Sequence, residues 1–571
     1  MIAPMTQYSF ILLHGDKENF LSELQQLGVV DITRSSKPID SFSQSLLDNI
    51  DTLRRDIECT LAGSDDTTKE LAARRNELLK EIAEAEPWGD YDRERLAAFH
   101  PHFYSVAAKK FDPSWADQYA LQTVDERDGT VRFVILGDTS GFPLKEVPAP
   151  QRTPAELAPV LEKLDDQIAV HQEVLEARKA DIPKMEQHIR NNQADLDRYL
   201  ASQAAVPAAE DTIDTLVGFA PTECDEAVTE YLEQAGVFYL KDKAKVEENP
   251  PIQFKNNKFV KMFEVLTDMY GRPAYDGFDP TPFIAVFFLL FFALCMGDAG
   301  YGLVLIIAGL LLRKVKSFRD MAPLVITLGV ATVVVGFFLH TFFSIDIAQW
   351  KCFQGIRGIF LPDEIAGYAG GMVLSLIVGV VHLCLAMVVK AINAVRVNGF
   401  AASLGTLGWT LLIVGGVIVG GIALTGVMSA NVTKWVVIAL GVISAIGIFP
   451  LNNPKRNKLA NVGLGFWDTY QMVTGLLGDV LSYLRLYALG LAGAMLGMAF
   501  NDMGKMVLGD GTNPVLWVFF ILLVLIGHTL NIAMCALGAF VHPLRLNFLE
   551  FFKNSGYEAS GRKFNPLVNN E

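Results

Sequence analysis

The chain has 571 residues, of which 51% are hydrophobic and 19% charged, and its formal net charge is −15. A mean hydropathy of +0.30 is high for a soluble protein of this length and predicts membrane-embedded segments. The negative charge argues against a nucleic-acid partner. Six scattered cysteines without a CxxC pair indicate neither a metal site nor a disulfide framework. Since the long apolar runs concentrate in 281–552, we expect a soluble region over 1–275 and a membrane domain over 276–571.

The soluble region begins and ends with the same pattern. It starts without the basic and long apolar segments of a signal peptide, so we expect it to stay in the cytoplasm. Strand, helix and strand follow one another in "QYSFILLHGDKENFLSELQQLGVVDIT" and again in "TIDTLVGFAPTECDEAVTEYLEQAGVFYLKD". The two segments predict one proximal α/β lobe formed by about 1–40 and 206–250.

Two heptad-patterned stretches lie between these segments, at about 41–95 and 153–205, and they flank a short α/β-like piece at about 96–152. This order predicts an antiparallel coiled-coil hairpin with a distal lobe at its tip, and a plain helical bundle is the alternative. An elongated arm favours docking or leverage over chemistry. The nearest approach to a phosphate-binding loop, "GMAFNDMGKMV", has the wrong spacing. The predicted seam positions are Leu46, Ile50, Leu53, Ile57, Leu71, Leu78, Ile82 and Ala85 in the first stretch, and Leu157, Leu161, Leu164, Ile168, Leu175, Ile182, Met185, Ile189, Leu196 and Tyr199 in the second.

The membrane region predicts a polytopic α-helical fold with about eight transmembrane helices, joined to an elongated cytoplasmic α+β domain. The seventh span would be about 58 Å long as one helix, although a bilayer core is about 30 Å thick. The last two helices are therefore expected to be long and tilted or to project beyond the lipid. The predicted spans are 281–297, 299–313, 321–342, 368–390, 401–428, 433–450, 464–502 and 514–553.

Basic residues alternate between the loops. The loops that follow the even-numbered spans carry twelve lysines and arginines, including those of "RKVKSFR" and "PKRNK", whereas the opposite loops carry four. Positive charge marks the cytoplasmic side of membrane proteins. The pattern predicts that the N-terminal domain and the C-terminus both lie in the cytoplasm.

Ionisable and polar residues concentrate in the last two spans. Arg485, in "GDVLSYLRLYALGLAG", lies too far from either helix end to reach water easily, and a lone arginine at bilayer depth costs several kcal/mol. Arg545 lies nearer the cytoplasmic end of its span. The histidines could equally serve as helix–helix hydrogen-bonding groups, and Asp298 in the tight "GDAGYG" turn favours helix capping over transport. The candidate half-channel residues are Asp468, Gln471, Asp479 and Ser482 on the seventh span, and His528, Asn531, His542 and Glu550 on the eighth.

The stretch around Arg485 resembles the signature helix of subunit a, or subunit I, of the V/A-type rotary ATPases. Three further motifs resemble that family in the same order along the chain: "NPPIQFKNNKFVKMFEVLTDMYGRPAYDGFDPTPFIAVFF" resembles its arm–membrane junction, "MGDAGYGLVL" its first helical hairpin and "LGAFVHPLRLNFLEFF" its last helix. By this resemblance Arg485 matches the essential arginine and Arg545 the second one. The chain departs from eukaryotic relatives at Gln471, Gly493 and Cys535, so Asp479, His528 and Glu550 are placed in the ion path on position alone.

The resemblance implies a non-catalytic membrane stator without a cofactor, in the inner (plasma) membrane of a prokaryotic cell. Its partners would be a rotor ring of c/K subunits that each carry a membrane carboxylate, peripheral-stalk E/G subunits on the arm, a central-stalk subunit near the ring and the lipid bilayer. The transported ion is H+ or Na+, and both directions of transport remain open. Small residues near Arg485, namely Ala488, Gly490, Ala492, Gly493, Ala494 and Gly497, are expected to let the ring pass closely.

Two other classes of protein are possible. A secondary transporter with a cytoplasmic regulatory domain would need substrate ligands at the membrane midplane and often shows repeated halves, neither of which is evident here. A membrane-anchored scaffold would leave Arg485 without a role.

Overall fold

A computed structural model describes residues 1–35, 40–127, 129–208, 212–315, 318–349, 358, 360–362, 364–365, 367–424, 426–451, 458–509 and 513–568. It divides into two compact units. One unit comprises 1–11, 29–31 and 217–566, and the other comprises 12–28, 32–216 and 567–571. Several residues of the basic-loop pattern lie outside the described residues, namely Lys316, Lys351, Arg357, Lys455 and Arg456.

The described strands are β1 Met5–Leu13, β2 Asp31–Ile32, β3 Pro101–Ala107, β4 Leu121–Arg127, β5 Thr130–Leu136, β6 Val206–Ala208, β7 Ile213–Pro221, β8 Phe238–Lys243, β9 Pro251–Ile252, β10 Thr341–Phe342, β11 Ile345–Asp346, β12 Glu364–Ile365, β13 Tyr368–Ala369 and β14 Arg562–Lys563. The described helices outside the apolar region are α1 Lys17–Leu27, α2 Ser41–Ala62, α3 Asp66–Ala85, α4 Arg93–Ala97, α5 Trp115–Gln118, α6 Pro154–Arg178, α7 Ile182–Gln203, α8 Asp225–Gln234, α9 Lys258–Lys261 and α10 Glu264–Tyr270. The helices of the apolar region are α11 Thr281–Met296, α12 Ala299–Leu312, α13 Ala322–Phe338, α14 Gly370–Asn398, α15 Leu404–Leu424, α16 Ala430–Ile448, α17 Lys458–Leu508, α18 Pro514–Arg545 and α19 Phe552–Ser555. A π-helical segment, Leu546–Phe551, joins α18 to α19.

Both predicted strand–helix–strand segments are present, as β1-α1-β2 and β7-α8-β8. The strands belong to a five-stranded sheet with the order β2-β7-β1-β8, in which β6 also pairs with β7. Strands β1 and β8 are antiparallel, and their register runs from Thr6 opposite Lys243 to Ile11 opposite Phe238. The inward residues Tyr8 and Phe10 are fully buried, as expected for the alternating pattern of a half-buried strand.

The predicted heptad positions lie on four helices that pack in pairs. Helix α3 packs against α6, and α2 packs against α7. Leu78 and Ala85 share a buried cluster with Leu157 and Leu164. Asp65, at the start of α3, is hydrogen-bonded to His171 near the end of α6, and Glu81, near the end of α3, pairs with Arg152 just before α6. The two helices are therefore antiparallel.

Gly63 explains the interruption between α2 and α3. It adopts the left-handed conformation, with φ of +64°, and ends α2 by donating its backbone N–H to Cys59 and Thr60. Left-handed backbone is open to glycine because glycine has no Cβ. The segment between the seams contains a three-stranded sheet of order β3-β5-β4, packed around Tyr104, Val131 and Phe133.

The membrane domain contains five described helices that are long and apolar enough to cross a bilayer: α14, α15, α16, α17 and the segment from α18 to α19. The first three predicted spans are apolar helices of 16, 14 and 17 residues, which is shorter than the roughly 20 residues that a crossing needs. The count of eight spans therefore stays a prediction.

The last two membrane helices are long. Helix α17 has 51 residues, or about 77 Å at 1.5 Å per residue, and it extends beyond the predicted 464–502 at both ends. The continuous helical segment Pro514–Ser555 has 42 residues. Both exceed the thickness of a bilayer core.

Candidate functional site

Arg485 lies near the middle of α17 and is partly buried. Its Nη1 atom is buried and has no hydrogen-bond partner among the described residues. The neighbouring Tyr483 and Leu486 are completely buried. A buried donor without a partner costs about 1–3 kcal/mol, and more on a charged group. The arrangement therefore leaves a positive group that a further polar or negative partner would stabilise.

His542 on α18 lies within electrostatic range of both Arg485 and Arg545. Its Nδ1 atom is also buried without a partner among the described residues. Arg545 is exposed at the end of α18 and acts electrostatically on Glu550. The structure thus brings three predicted site residues together, namely both arginines and His542, from two helices that pack on one another.

A cluster of charged and polar side chains lies on the side of Arg485 toward the start of α17. We call it the inner cluster, and it is formed by Asp479, Ser482, Glu550, Lys553 and Asn554. The Asp479 carboxylate accepts a hydrogen bond of 2.7 Å from the Asn554 side chain and lies 3.4 Å from the Lys553 ammonium. Glu550, which is 5% exposed, interacts with the Ser482 hydroxyl. Its Oε2 atom has no partner among the described residues. Three predicted half-channel residues, Asp479, Ser482 and Glu550, are therefore neighbours.

Beside the inner cluster, His382 of α14 is completely buried and its Nδ1 lies 2.9 Å from the Tyr483 hydroxyl. Gly379 makes room for that tyrosine, because a Cβ atom there would lie 2.3 Å from the Tyr483 ring. Sequence reasoning did not assign His382 or Tyr483 to the site. The available signal was a single histidine in an otherwise apolar span.

A second group, the outer cluster, lies on the other side of Arg485 and contains Tyr301, Asn501, His528 and Asn531. The two ring nitrogens of His528 lie 2.8 Å from the Tyr301 hydroxyl and 3.0 Å from Asn501 Oδ1. The Asn531 amide donates to the Tyr301 hydroxyl and to the Gly493 carbonyl, both at 2.8 Å. The predicted His528 and Asn531 thus meet, and the structure adds Tyr301 and Asn501, which the sequence did not single out.

Asp298 caps α12, as predicted. Its carboxylate accepts hydrogen bonds from the backbone N–H groups of Gly300, Tyr301, Phe343 and Ser344, at 2.8, 3.3, 2.8 and 2.6 Å. Four N–H donors stabilise the ionised carboxylate in place, which suits a structural anchor.

Gln471 is exposed and Asp468 is partly buried, and their place in an ion path stays a prediction. The glycines near Arg485 do not form an open surface, because added Cβ atoms would lie 2.9 Å from the Leu294 carbonyl at Gly490, 2.5 Å from Cys535 Sγ at Gly493 and 2.0 Å from Ser344 Oγ at Gly497. The prediction that these three glycines face a passing ring is therefore wrong, since they serve close packing inside the bundle. Ala488 and Ala492 are exposed.

The fold and the site define a helical membrane protein whose buried charged and polar residues gather around its last two helices. Residues 140–329 and 468–568 match the V-type ATPase 116kDa subunit family. The matched residues make up about half of the chain and include Asp298, Arg485 and Arg545. The chain belongs to this family.

Individual relatives carry related descriptions. The chain is 33% identical to the A-type ATP synthase subunit I of Methanocaldococcus jannaschii, over 57% of this chain and 50% of that protein. It is 26% identical to the V-type ATP synthase subunit I 1 of Treponema pallidum, over 99% of this chain and 100% of that one. For the V-type ATP synthase subunit I of Borreliella burgdorferi the identity is 23%, over 99% of both chains. The match thus spans about half the length of the Methanocaldococcus jannaschii protein and nearly the full length of the other two.

Proposed function

We propose that the chain is the ion-translocating stator subunit of a rotary V/A-type ATPase, and that it is non-catalytic. In this function it faces a rotating ring of c/K subunits, provides two half-channels for H+ or Na+, and couples ion movement to ATP hydrolysis or synthesis elsewhere in the complex. The observation that carries the proposal is the Arg485 guanidinium. Its Nη1 is buried without a partner among the described residues, and along α17 Arg485 lies between the inner and the outer cluster.

The physical role of Arg485 follows from the cost of moving charge through lipid. A ring carboxylate must be neutral while it faces hydrocarbon, so it carries a proton or a cation there. Opposite charges 4 Å apart attract by about 4 kcal/mol at an effective dielectric constant of 20, or roughly three pKa units. Approach to Arg485 would therefore release the ion, and the unpaired Nη1 donor would gain its partner. Arginine suits this role better than lysine because it keeps its charge when buried.

The two clusters supply the polar surfaces that such a path requires. The inner cluster would connect Arg485 with the cytoplasm, and the outer cluster would connect it with the opposite side, as the distribution of basic loops predicts. The arm would bind the peripheral-stalk E/G subunits, and a central-stalk subunit would lie near the ring. The membrane would be the inner (plasma) membrane of a prokaryotic cell.

The decisive experiment compares variants of the two arginines in inverted membrane vesicles. We expect Arg485→Ala to reduce ATP-driven ion uptake to background while the complex still assembles. Arg485→Lys should also fail or nearly fail, because a buried lysine loses its proton. Arg545→Lys is the matched control and should retain measurable uptake, since Arg545 is exposed. Immunoblots of the purified complex monitor assembly.

Uptake near the wild-type rate in Arg485→Ala vesicles would reject the proposed role of this residue. Purification of the chain from its native membrane separates the stator from a secondary transporter. A stator is recovered with ring and ATPase subunits, whereas a carrier is recovered without them.

A further inference from the structure

The loop that follows α13 has an unusual backbone. His340, Phe343 and Ser344 all have positive φ, of +50°, +48° and +57°. This left-handed region is disfavoured for residues that carry a Cβ atom, and such residues persist only where their surroundings hold them in place. A loop with three of them within five positions must be fixed by strong contacts.

Those contacts come from side chains on other elements. The Asp298 carboxylate accepts from the N–H groups of Phe343 and Ser344, and the Asn501 side chain of α17 donates to the Phe343 carbonyl at 2.9 Å. The Thr341 hydroxyl donates to the Gly297 carbonyl. The Phe343 ring lies 5.7 Å from the Tyr301 ring and 5.6 Å from the His528 ring, both nearly perpendicular to it. The loop is therefore attached directly to the outer cluster.

The anchored backbone places one hydroxyl group in a specific position. Ser344 is 5% exposed. Its buried Oγ has the Tyr301 phenol as a polar neighbour, but no described residue satisfies it with a hydrogen bond of good geometry. The Ser344 Oγ atom packs against Gly497, since a Cβ atom added to Gly497 would lie 2.0 Å from it. A buried hydroxyl without a well-formed hydrogen bond is costly, so a water molecule or an ion beside Ser344 would stabilise it.

We propose that Ser344 lines the outer end of the ion path and that Asp298 and Asn501 are positioning residues that hold it there. The inference rests on the proposed function and deepens it. Tyr301 and Asn531 form a row of polar side chains that leads away from Arg485. The Ser344 hydroxyl is the next polar group in that row. Its ligand is a small monovalent cation with its hydration water, for which hydroxyl, phenol and amide oxygens are suitable ligands.

Silver ions test this proposal, because Ag+ is a small monovalent cation that reacts with thiols. In a background whose six cysteines are replaced by serine and that still pumps, we expect Ag+ applied from the outer side to reduce pumping by Ser344→Cys at least tenfold. Ile345→Cys is the matched control, since Ile345 is adjacent but 44% exposed. Its thiol should react while pumping continues. An unreactive Ser344→Cys thiol, or a reacted one that leaves pumping intact, would overturn the proposal.

The positioning role has its own readout. Adding Asp298→Asn to Ser344→Cys should lower the rate of Ag+ inhibition at least tenfold, while the rate of Ag+ reaction at Ile345→Cys stays the same. Equal changes at both cysteines would show that Asp298 acts only on overall stability and would overturn its positioning role.

A second pair of variants applies if the cysteine variants do not assemble. Ser344→Ala should lower ATP-driven uptake at least threefold, whereas Ser375→Ala should not, because the Ser375 hydroxyl is buried but donates to the Gly371 carbonyl of its own helix. Equal uptake by Ser344→Ala and wild type would reject the role of Ser344. The proposed function would still stand in that case if Arg485→Ala abolished uptake, so the two proposals can fail independently.

Discussion

Arg485 differs from Asp479 and Asp298 in how its charge is satisfied. Asp479 has the Lys553 ammonium and the Asn554 amide, and Asp298 has four backbone N–H donors. Arg485 keeps a buried Nη1 without a partner among the described residues. Because an uncompensated buried charge is strongly destabilising, Arg485 would be stabilised when a negative group arrives.

Asp65 gives a residue-scale prediction outside the membrane. The Thr68 backbone N–H, together with the His171 side chain 2.9 Å away, lowers the pKa of Asp65 to about 2. A carboxyl whose folded pKa lies below its unfolded value stabilises the fold at neutral pH and loses this effect as the pH falls from about 4 to about 2.

We therefore expect Asp65→Ala to destabilise the coiled-coil hairpin by about 1 kcal/mol at pH 7, the usual cost of a lost helix cap. The difference from wild type should shrink as the pH approaches 3. Thermal unfolding followed by far-UV circular dichroism at several pH values measures it. Asp66→Ala is the control, since the Asp66 carboxylate is exposed and pairs with Lys69 of the same helix. A difference that does not depend on pH would contradict the assigned role of the carboxylate.

Single residues were predictable where their role is local. The Asp298 cap followed from "GDAGYG", because a short polar side chain before glycines serves the first turn of a helix. Tyr301 and Asn501 could not be found this way, since their partners are up to 230 positions away. Whether Gly490, Gly493 and Gly497 face the bundle or its surface depends on how α17 is rotated about its own axis. A stripe of small residues in the sequence does not reveal that rotation.

At the scale of elements, α12 and α13 are held together by closely approaching glycines. A Cβ atom on Gly302 would lie 2.7 Å from the Val333 backbone nitrogen, and one on Gly336 would lie 2.2 Å from the Ala299 nitrogen. Small residues permit such close contact between membrane helices, where van der Waals packing is the main attraction.

Gly302→Ala should therefore destabilise the chain by about 1–3 kcal/mol through overpacking. Gly420→Ala on α15 should be neutral or slightly stabilising, because nothing lies within 4 Å of its added Cβ. Melting temperatures of the detergent-solubilised protein compare the two variants. Equal melting temperatures would show that α12 and α13 can move apart at little cost.

Elements with a clear period were predicted well, and their irregular ends were not. The seam of Leu78 with Leu157 follows from the heptad pattern alone. The extension of α17 to Lys458 and the π-helical Leu546–Phe551 segment lie where polar residues interrupt the apolar pattern. Packing against neighbouring helices decides the conformation there, and a local pattern does not contain that information.

At the scale of the whole molecule, the coiled-coil hairpin is expected to act as a tether. Deleting 41–205 should leave a membrane-inserted chain whose complex hydrolyses ATP without pumping, because the stator could turn with the ring. The purified deletion complex should also lack the peripheral-stalk subunits. Arg485→Ala is the control, since it should stop pumping but retain them. ATP-driven pumping by the deletion variant would rule out the tether.

Orientation is a second prediction at this scale. In a cysteine-free background, a cysteine at Ser429, the N-cap of α16, should react with an impermeant thiol reagent from outside the cell. A cysteine at Asn398, the last residue of α14, should react only after the membrane is opened. The reverse pattern would mean that the basic loops lie outside.

The π-helical segment at Leu546–Phe551 places more residues in its turn than an α-helix would hold. Removing one residue between Arg545 and Glu550 would let the segment wind as an α-helix. Glu550 would then keep nearly the same direction toward Ser482, because five π-helical steps sweep about the same angle as four α-helical steps. The same deletion in the regular α-helix before the segment would instead turn every later side chain by about 100° about the axis. A one-residue deletion should therefore be tolerated inside the segment and disruptive before it.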